Sequence, residues 1–290
     1  MIDEAVLEQI ELLQILLKNN MAGMFGGTHK SKTFGSSCEF ADFRDYIPGD
    51  DITKIDWNAF ARFHKLYLKL FLDERQVHTR IYIDASRSMA YGNAGKSEQA
   101  VRLAAALSYI SICEMDRVSI YLIRGGELIE VVEGMLGKES YLTNIGKLND
   151  IVFDGDIFIS EAILPSVVGY GDGMSVIISD FLTDNDFEAA IDRLVSKKRD
   201  VLCVQVLSPE ELKPAARGKM HFYDSENQGR FYRKNINRDI LNAYKLALEY
   251  ATGRVRELCH SRGADYALVS SEETLEEIFF DKLSSMGVIK

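Results

Sequence analysis

Three oxygen-bearing side chains follow a short apolar run in the first third of the sequence. The run is Ile81–Ile83, and Asp84, Ser86 and Ser88 follow it at alternate positions. Ligands of an open α/β sheet collect beyond the carboxyl ends of its strands. One carboxylate and two hydroxyls there offer the oxygen ligands that Mg²⁺ prefers, while the ion keeps several waters. The spacing is therefore compatible with a divalent-cation site.

A second apolar run can deliver another carboxylate to the same edge of the sheet. Val176–Ile178 is followed by Ser179 and Asp180, so two strands are predicted to converge on one site. The alternative is that Asp84 and Ser86 only cap the helix that follows them, because Asp and Ser both favour that role. The residues alone leave both interpretations open.

The segment from Glu39 to Arg62 is dense in charges and aromatic residues. One interpretation is an exposed docking surface, in which arginine side chains present planar forks to a partner's carboxylates. The other is an internal network of acids and arginines that braces the segment, since buried charges need partners. Trp57, the single tryptophan, is expected in the core. The residues concerned are Arg44, Asp50, Asp51, Asp56 and Arg62.

The elements that position these residues alternate between short apolar strands and amphipathic helices. Such alternation is typical of a mostly parallel sheet covered by helices, and a Gly-containing turn at residues 124–127 predicts an antiparallel edge. Strands are predicted at 81–83, 118–123, 128–132, 175–179, 201–207 and 266–269. Helices are predicted at 97–115, 140–149, 159–168, 187–195, 238–261 and 274–286.

The chain is predicted to divide near residue 76. Apolar residues at a three-to-four spacing over residues 3–18 indicate an amphipathic helix, and residues 66–71 are typical of a strand. Residues 1–76 are therefore expected to form a helix-plus-hairpin layer packed on a main α/β domain, residues 77–290. That domain is expected to carry a hairpin insertion near 218–234. The glycine-rich stretch from Met21 to Gly35 is expected to be an irregular loop.

Composition narrows the possible partners and the compartment. The chain has 290 residues, 47% of them apolar, and a formal net charge of −10, which disfavours a molecule built to bind nucleic acid or anionic lipid. The N-terminal residues lack the pattern of a signal peptide, and no apolar stretch approaches the length of a membrane span. A cytoplasmic protein is expected.

Taken together, these motifs resemble a bacterial family catalogued as domain of unknown function fifty-eight, which contains a von Willebrand factor A-like domain with a metal-ion-dependent adhesion site. The resemblance covers nearly the whole chain. It is carried by Glu39-Phe40, Arg44-Asp45-Tyr46, Pro48-Gly49-Asp50-Asp51, Ile55-Asp56-Trp57, Ala61-Arg62 and the run from Asp84 to Met89.

The resemblance implies a six-stranded Rossmann-like sheet and a Mg²⁺ or Mn²⁺ site. In this family three loops at the edge of the sheet supply the ligands. Asp84, Ser86 and Ser88 would come from the first loop, and Asp180 would be the carboxylate of the third. The second loop departs from the family pattern, because Ile157 stands where a threonine ligand is usual and isoleucine cannot bind a cation. Three possibilities remain: Asp154 or Asp156 substitutes, a water fills the position, or the site has lost strong metal binding.

The function expected from these observations is non-enzymatic protein binding through the cation. The resemblance implies a MoxR-type AAA+ ATPase as the partner, in assembly or maturation of other proteins. Two alternatives are a structural subunit with a vestigial site and a metal-dependent phosphoryl-transfer enzyme. The enzyme is disfavoured because a haloacid-dehalogenase-type site needs a second acid at position 86, and because nucleotide-loop and GxSxG motifs are missing from the sequence.

Overall fold

The computed structural model describes residues 2–24, 34–72, 77–90, 95–171, 173–183, 186–214, 218–223 and 231–284. The chain forms two units: Met1–Asn20 together with Val77–Lys290, and Met21–Gln76. The strands are Phe34–Asp45 (β1), Tyr67–Leu72 (β2), His78–Asp84 (β3), Arg117–Arg124 (β4), Glu127–Met135 (β5), Met174–Ser179 (β6), Asp200–Leu207 (β7), Gly218–Tyr223 (β8), Phe231–Ile236 (β9) and Asp265–Ser270 (β10).

In the larger unit, helices connect the strands and pack on both faces of the sheet. Short 3₁₀ segments at Ile52–Lys54 and Ile145–Asp150 and a π-helical segment at Ile278–Leu283 accompany them. The α-helices are Glu4–Met24 (α1), Trp57–Phe63 (α2), Arg87–Ala90 (α3), Lys96–Cys113 (α4), Gly137–Asn144 (α5), Ile159–Ile163 (α6), Glu188–Ser196 (α7), Pro209–Leu212 (α8), Arg238–Ser261 (α9) and Leu275–Glu277 (α10).

The main sheet lies in the larger unit and has the strand order β10-β7-β6-β3-β4-β5. Neighbouring strands run parallel except β4 and β5, which pair antiparallel. Counted along the chain, the order is that of a doubly wound sheet, whose ligands bind where the winding direction reverses. That reversal lies between β3 and β6. The predicted fold class, a mostly parallel α/β sheet flanked by helices, is confirmed.

The core consists of two apolar clusters, one on each face of the sheet. Successive side chains of a strand point to opposite faces, so Ile81 and Ile83 join one cluster while Tyr82 joins the other. Helix α4 packs on the first face, where its small residues Ala104 and Ala105 are fully buried and let it approach the strands closely. Helices α6, α7 and α9 contribute to the second cluster.

The N-terminal helix belongs to the sheet unit. The apolar face of α1, including Ile10 and Leu13, is buried in the same core cluster as α4, and the hydroxyl of Tyr109 donates to Glu11 Oε1 at 3.0 Å. The predicted layer of residues 1–76 is therefore corrected. Its first 20 residues pack with the sheet, and Met21–Gln76 forms the second unit.

Several predicted helices are shorter than expected: for example, the helix predicted at 274–286 is α-helical only at Leu275–Glu277, followed by the π-helical segment. The helix predicted at 159–168 ends at Ile163, because Pro165 disfavours helical geometry in the residue before it. The helix predicted at 140–149 becomes α5 followed by 3₁₀ turns. In contrast, α9 has the predicted bounds of 238–261. The predicted insertion contains the β8–β9 hairpin, whose connecting residues 224–230 lie outside the described part.

The smaller unit contains the β1–β2 pair, one 3₁₀ turn and α2. β1 and β2 pair antiparallel, with register shifts between Gly35 and Asp42. Asp56 begins α2 by accepting the main-chain N–H groups of Asn58 and Ala59. Most of the loop predicted at 21–35 lies outside the described residues.

None of the helices among the described residues is long and apolar enough to cross a membrane.

Candidate metal centre

Asp84 lies at the carboxyl end of β3, beside the end of β6. The register that sets Ile83 opposite Ile178 brings Asp84 next to Ser179. The Ser179 hydroxyl donates to Asp84 Oδ2 at 2.7 Å, and the Ser86 main-chain N–H donates to Oδ1 at 2.8 Å. Asp84 is fully buried, so both its oxygens are held by the chain itself.

The first loop places both predicted serines close together. The hydroxyls of Ser86 and Ser88 are 2.9 Å apart; Ser86 is fully buried and Ser88 is half-buried. Main-chain hydrogen bonds tie this loop to the second loop, from Arg87 N–H to the Gly155 carbonyl at 2.9 Å and from Gly155 N–H to the Ala85 carbonyl at 3.1 Å. The predicted first-loop residues thus come together, with Ser88 nearest the surface.

Asp180 follows β6 and is also buried, at 1% exposure. Its Oδ1 accepts the Leu182 N–H at 3.1 Å, and its main-chain oxygen accepts the Gln205 amide at 2.6 Å. The next residue, Phe181, has a φ of 50°, a left-handed conformation that costs a non-glycine residue about 1 kcal/mol or more. Its N–H donates to the Ser179 hydroxyl at 3.0 Å. This strained turn fixes the third loop.

Sequence reasoning missed a buried lysine at this site. Lys96 is the first residue of α4 and is 1% exposed. Its ammonium donates to Asp180 Oδ2 at 3.0 Å and to Glu211 Oε1 at 2.8 Å. The second oxygen of Glu211 accepts the Ser208 N–H at 2.7 Å, as part of the capping box that begins α8. Lys96 therefore joins α4, the third loop and α8.

The charges at this site do not cancel. With every carboxyl group ionised, Asp84, Asp180 and Glu211 contribute three negative charges and Lys96 one positive charge, a formal sum of −2; with Asp84 protonated the sum is −1. Burial, and then the neighbouring Asp180, raise the pKa of Asp84 to about 7. Burial lowers the pKa of Lys96, but Asp180 and Glu211 outweigh it and the net shift is upward. The cluster holds more negative charge than its own lysine neutralises.

The second loop places its isoleucine in the core. Ile157 is 2% exposed and packs in the second apolar cluster, as a side chain that binds no cation would. Asp156 is exposed, and its main-chain oxygen accepts the Gly125 N–H at 2.7 Å. Asp154, also exposed, forms an ion pair with Arg124. No contact joins either carboxylate to Asp84 among the described residues.

The side chains present fit a hard divalent cation. Carboxylate and hydroxyl oxygens converge at one sheet edge, and the cluster has more negative charge than its lysine neutralises. The described residues contain no group of three or more His, Cys, Asp or Glu side chains placed to hold a metal. A cation here would therefore depend on the serine hydroxyls and water as much as on carboxylates.

The predicted partner-binding residues lie in the smaller unit and do not form one network. Arg44 Nη2 is 2.7 Å from Asp50 Oδ1, whereas Asp51 Oδ1 accepts the Thr53 N–H and hydroxyl. Asp56 caps α2 and pairs with Lys69 Nζ at 3.4 Å rather than with an arginine. Only the Arg44–Asp50 pair of the predicted internal network is formed between described side chains.

The remaining residues of this group are exposed. Arg62 lies on α2 and is exposed, with no ion pair to any side chain that the structure describes. The expectation that Trp57 lies in the core is wrong: it is 60% exposed, on the same short helix. A seven-residue helix in a small unit has too little neighbouring structure to enclose an indole ring.

Comparison with known proteins identifies the chain's relatives. The family described as "Protein of unknown function DUF58" matches residues 42–251, more than half of the chain. Uncharacterized proteins from Mycobacterium tuberculosis and Mycobacterium bovis are each 25% identical over 231 residues, covering 78% of this chain and 72% of the relative.

Several solved structures share part of the architecture. BatB, a conserved hypothetical protein from Bacteroides thetaiotaomicron, is 16% identical, with 73% of this chain and 99% of that chain covered and a TM-score of 0.47. An aerotolerance-related membrane protein from Bacteroides fragilis is 17% identical, with coverage of 72% and 100% and a TM-score of 0.44. A von Willebrand factor type A protein from Catenulispora acidiphila is 9% identical, with coverage of 75% and 43% and a TM-score of 0.40. These likenesses concern the fold alone.

Proposed function

This chain belongs to the DUF58 family, and we propose that it is a non-enzymatic adaptor that binds another protein through a divalent-cation site at the carboxyl edge of its sheet. One observation carries the proposal. Two buried aspartates meet at the switch point of the sheet with negative charge left over after their lysine partner is counted. Uncompensated buried charge is costly, and carboxyl groups with strongly shifted pKa values cluster at functional sites.

Each residue of the site has a distinct part in this proposal. Asp84 and Asp180 supply the negative charge, and Ser86 and Ser88 supply neutral oxygens. Mg²⁺, when bound, provides an open coordination position that a carboxylate of a partner protein completes. Half-buried Ser88 marks the side from which a partner approaches. Asp156, exposed on the second loop, is the proposed outer contributor, acting through water.

The partner we propose is a MoxR-type AAA+ ATPase, in assembly or maturation of other proteins. Its support is the resemblance carried by the signature segment of residues 39–62. That segment offers a second surface in the same proposal, because Arg44, Arg62 and Trp57 are exposed and arginine and tryptophan are enriched where proteins bind.

A structural subunit with a vestigial metal site is the second candidate, favoured by two observations. Ile157 fills the second-loop position from within the core, and Lys96 already pairs with Asp180. Phosphoryl transfer has less support. A nucleophilic aspartate must reach its substrate, whereas Asp84 is fully buried with both oxygens hydrogen-bonded.

The test is a pull-down from native host lysate with tagged protein, run in Mg²⁺ and in EDTA and read by mass spectrometry. Asp84→Ala is compared with wild type, and Asp200→Ala serves as the matched control, because Asp200 is an exposed aspartate at the opposite end of β7. Circular dichroism confirms that each variant is folded. We expect an AAA+ ATPase to be captured only with Mg²⁺ and intact Asp84.

Other outcomes reject parts of the proposal. Equal capture in Mg²⁺ and EDTA, undiminished in Asp84→Ala, rejects the cation-dependent adaptor and leaves the structural subunit. Turnover in a panel of phosphatase substrates that disappears in Asp84→Ala rejects the non-enzymatic assignment.

A further inference from the structure

Lys96 is a residue whose placement the proposed function does not explain. Lysine is almost never fully buried unless it is paired, yet Lys96 is 1% exposed. Its ammonium is 3.0 Å from Asp180 Oδ2 and 2.8 Å from Glu211 Oε1. The ammonium of Lys96 is thus paired with Asp180, the carboxylate that is proposed to face the cation.

The two oxygens of Asp180 are both engaged. Oδ1 accepts the Leu182 N–H at 3.1 Å, which fixes the third loop, and Oδ2 accepts from Lys96. A carboxylate oxygen that accepts one hydrogen bond keeps a second lone pair, but a cation at Oδ2 would lie beside the Lys96 ammonium. The ammonium and the cation therefore compete for the negative charge of Asp180.

Lys96 can leave that oxygen without losing its charge partner. Glu211 is the nearer carboxylate and remains half-buried beside it. The capping box of α8 holds Glu211 in place through Ser208, independently of Lys96. The main-chain oxygen of Glu211 also accepts the Tyr244 hydroxyl at 3.0 Å, which braces this segment from α9. Glu211 is thus a fixed resting position for the ammonium.

We propose that Lys96 sets the affinity of this site, as a built-in cation that competes with a divalent ion for Asp180. The inference rests on the proposed function and deepens it. Whatever the protonation state of Asp84, Lys96 makes the charge of the cluster less negative by one unit. The Lys96 ammonium, 3.0 Å from Asp180 Oδ2, also repels a cation that approaches this oxygen, because charges in a buried site are only weakly screened.

The competition predicts whether each variant binds Mg²⁺ more tightly or more weakly than wild type. Lys96→Met removes both the competitor and its repulsion, so Mg²⁺ should bind at least about tenfold more tightly. Lys96→Gln should act in the same direction while keeping a hydrogen-bond donor for Asp180 or Glu211, which protects the fold if the methionine variant fails. Glu211→Gln removes the alternative charge partner, leaves Lys96 on Asp180, and should weaken binding by about threefold or more.

The experiment is isothermal titration of the full chain with MgCl₂ at constant ionic strength, with thermal unfolding in Mg²⁺ and in EDTA as a second readout. Lys147→Met is the matched control. It makes the same substitution and the same change in net charge at an exposed lysine whose ammonium donates to Asn144 Oδ1. We expect its Mg²⁺ affinity to equal that of wild type.

The outcomes separate this inference from the proposed function. Tighter binding in Lys96→Met or Lys96→Gln supports the inference. If wild type shows no Mg²⁺ binding while a Lys96 variant gains it, Lys96 holds the site closed and the cation-dependent function is rejected for the natural chain. Equal or weaker binding in the Lys96 variants overturns the inference and leaves the function intact. Absence of binding in every variant overturns both.

Discussion

Two buried basic side chains lie at opposite ends of the main sheet and are neutralised differently. Lys96, at the carboxyl end, is held by the carboxylates of Asp180 and Glu211. Arg199, at the amino end, is 6% exposed and donates to the Ser175 hydroxyl at 2.6 Å and to the main-chain oxygens of His78 and Met174. No described carboxylate lies within ion-pair distance of Arg199.

The difference distinguishes a structural brace at the amino end of the sheet from the proposed cation site at its carboxyl end. Main-chain oxygens carry only partial charges, and burial lowers the pKa of Arg199. The space around it is closed: a Cβ at Gly173 would lie 2.6 Å from Arg199 Nη1 and 2.7 Å from the His78 oxygen. The carboxyl end instead has more charge than its lysine offsets. Excess charge at the switch point of a sheet indicates a functional site, whereas burial of a basic side chain alone does not.

The largest expected effect comes from breaking the brace. Arg199→Met leaves the oxygens of His78 and Met174 and the Ser175 hydroxyl without their donor, and each unsatisfied buried group costs about 1–3 kcal/mol. We expect the free energy of unfolding in urea to fall by about 3 kcal/mol or more. Because Arg199 is far from the carboxyl edge, the loss should be the same in Mg²⁺ and EDTA.

A matched arginine tests whether burial causes this expected loss. Arg256→Met removes an exposed arginine that lies over the Tyr266 ring at 5.6 Å, and it should cost less than about 1 kcal/mol. Equal losses from the two variants, or a loss in Arg199→Met that Mg²⁺ reverses, would break the proposed distinction between the two ends.

The second prediction concerns the excess charge at the other end. Asp84→Asn replaces a fully buried carboxylate by a neutral side chain of the same shape. Since the folded state raises the pKa of Asp84 to about 7, the folded chain binds the extra proton between its unfolded pKa near 4 and pH 7. The carboxylate therefore costs stability that is largest above pH 7.

We expect Asp84→Asn to raise the free energy of unfolding by about 2 kcal/mol at pH 8 in EDTA, and the gain to vanish near pH 4. Stabilisation by Mg²⁺ should disappear in the same variant. A loss of stability in EDTA at pH 8 would mean that the Asp84 charge is already compensated, and the argument from excess charge would fail.

The third prediction uses pH to probe the brace. Burial, followed by Arg80, Arg199 and Arg117, lowers the pKa of His78 from 6.5 to about 4, and its ring nitrogen lies 2.9 Å from the Ser119 hydroxyl. Between those values the unfolded chain binds a proton that folded His78 does not. Stability is therefore lost as the pH falls from 6.5 to 4.

His78→Asn should remove part of this loss while keeping a polar contact for Ser119. We expect the drop in unfolding free energy between pH 7.5 and 4.5 to be smaller in the variant by about 1 kcal/mol, after allowance for partial exposure. The measurement is urea unfolding at both pH values. An unchanged drop would show that His78 takes up its proton in the folded state as readily as in the unfolded chain.

The fold was largely predictable because its signals are local. Strand β6 and helix α9 lie within one residue of their predicted bounds, since unbroken apolar runs and long helical periodicity leave few alternatives. The meeting of Asp84 and Asp180 at one edge followed from their positions after apolar strands. Chain division was less predictable, because the burial of α1 in the sheet core depends on tertiary packing.

Lys96 was not predictable from local sequence. A lysine after Gly95 at a helix start is typical of an exposed position. Its burial depends on Asp180 and Glu211, which are 84 and 115 residues away in the chain. Long-range pairs of this kind leave no periodic or compositional signal. The prediction for Trp57 was wrong in the opposite sense, since this residue was expected in the core and lies exposed on a short helix.

The smallest effect is expected on the second loop, where sequence left Asp154 and Asp156 open. Both are exposed, so an ionic contribution from either is screened by water and salt. Asp154 already pairs with Arg124, which leaves Asp156 as the outer contributor. Asp156→Asn should weaken Mg²⁺ binding by about twofold and leave stability in EDTA within about 0.5 kcal/mol of wild type.

Asp154→Asn is the matched control for that measurement, with the same substitution on the same loop and an expected Mg²⁺ affinity equal to that of wild type. Titration calorimetry with MgCl₂ distinguishes the two. A tenfold loss in Asp156→Asn would make the second loop a direct ligand despite its exposure, and the cation would then lie nearer the surface than Asp84 indicates. A loss in Asp154→Asn alone would assign the second-loop role to the aspartate paired with Arg124.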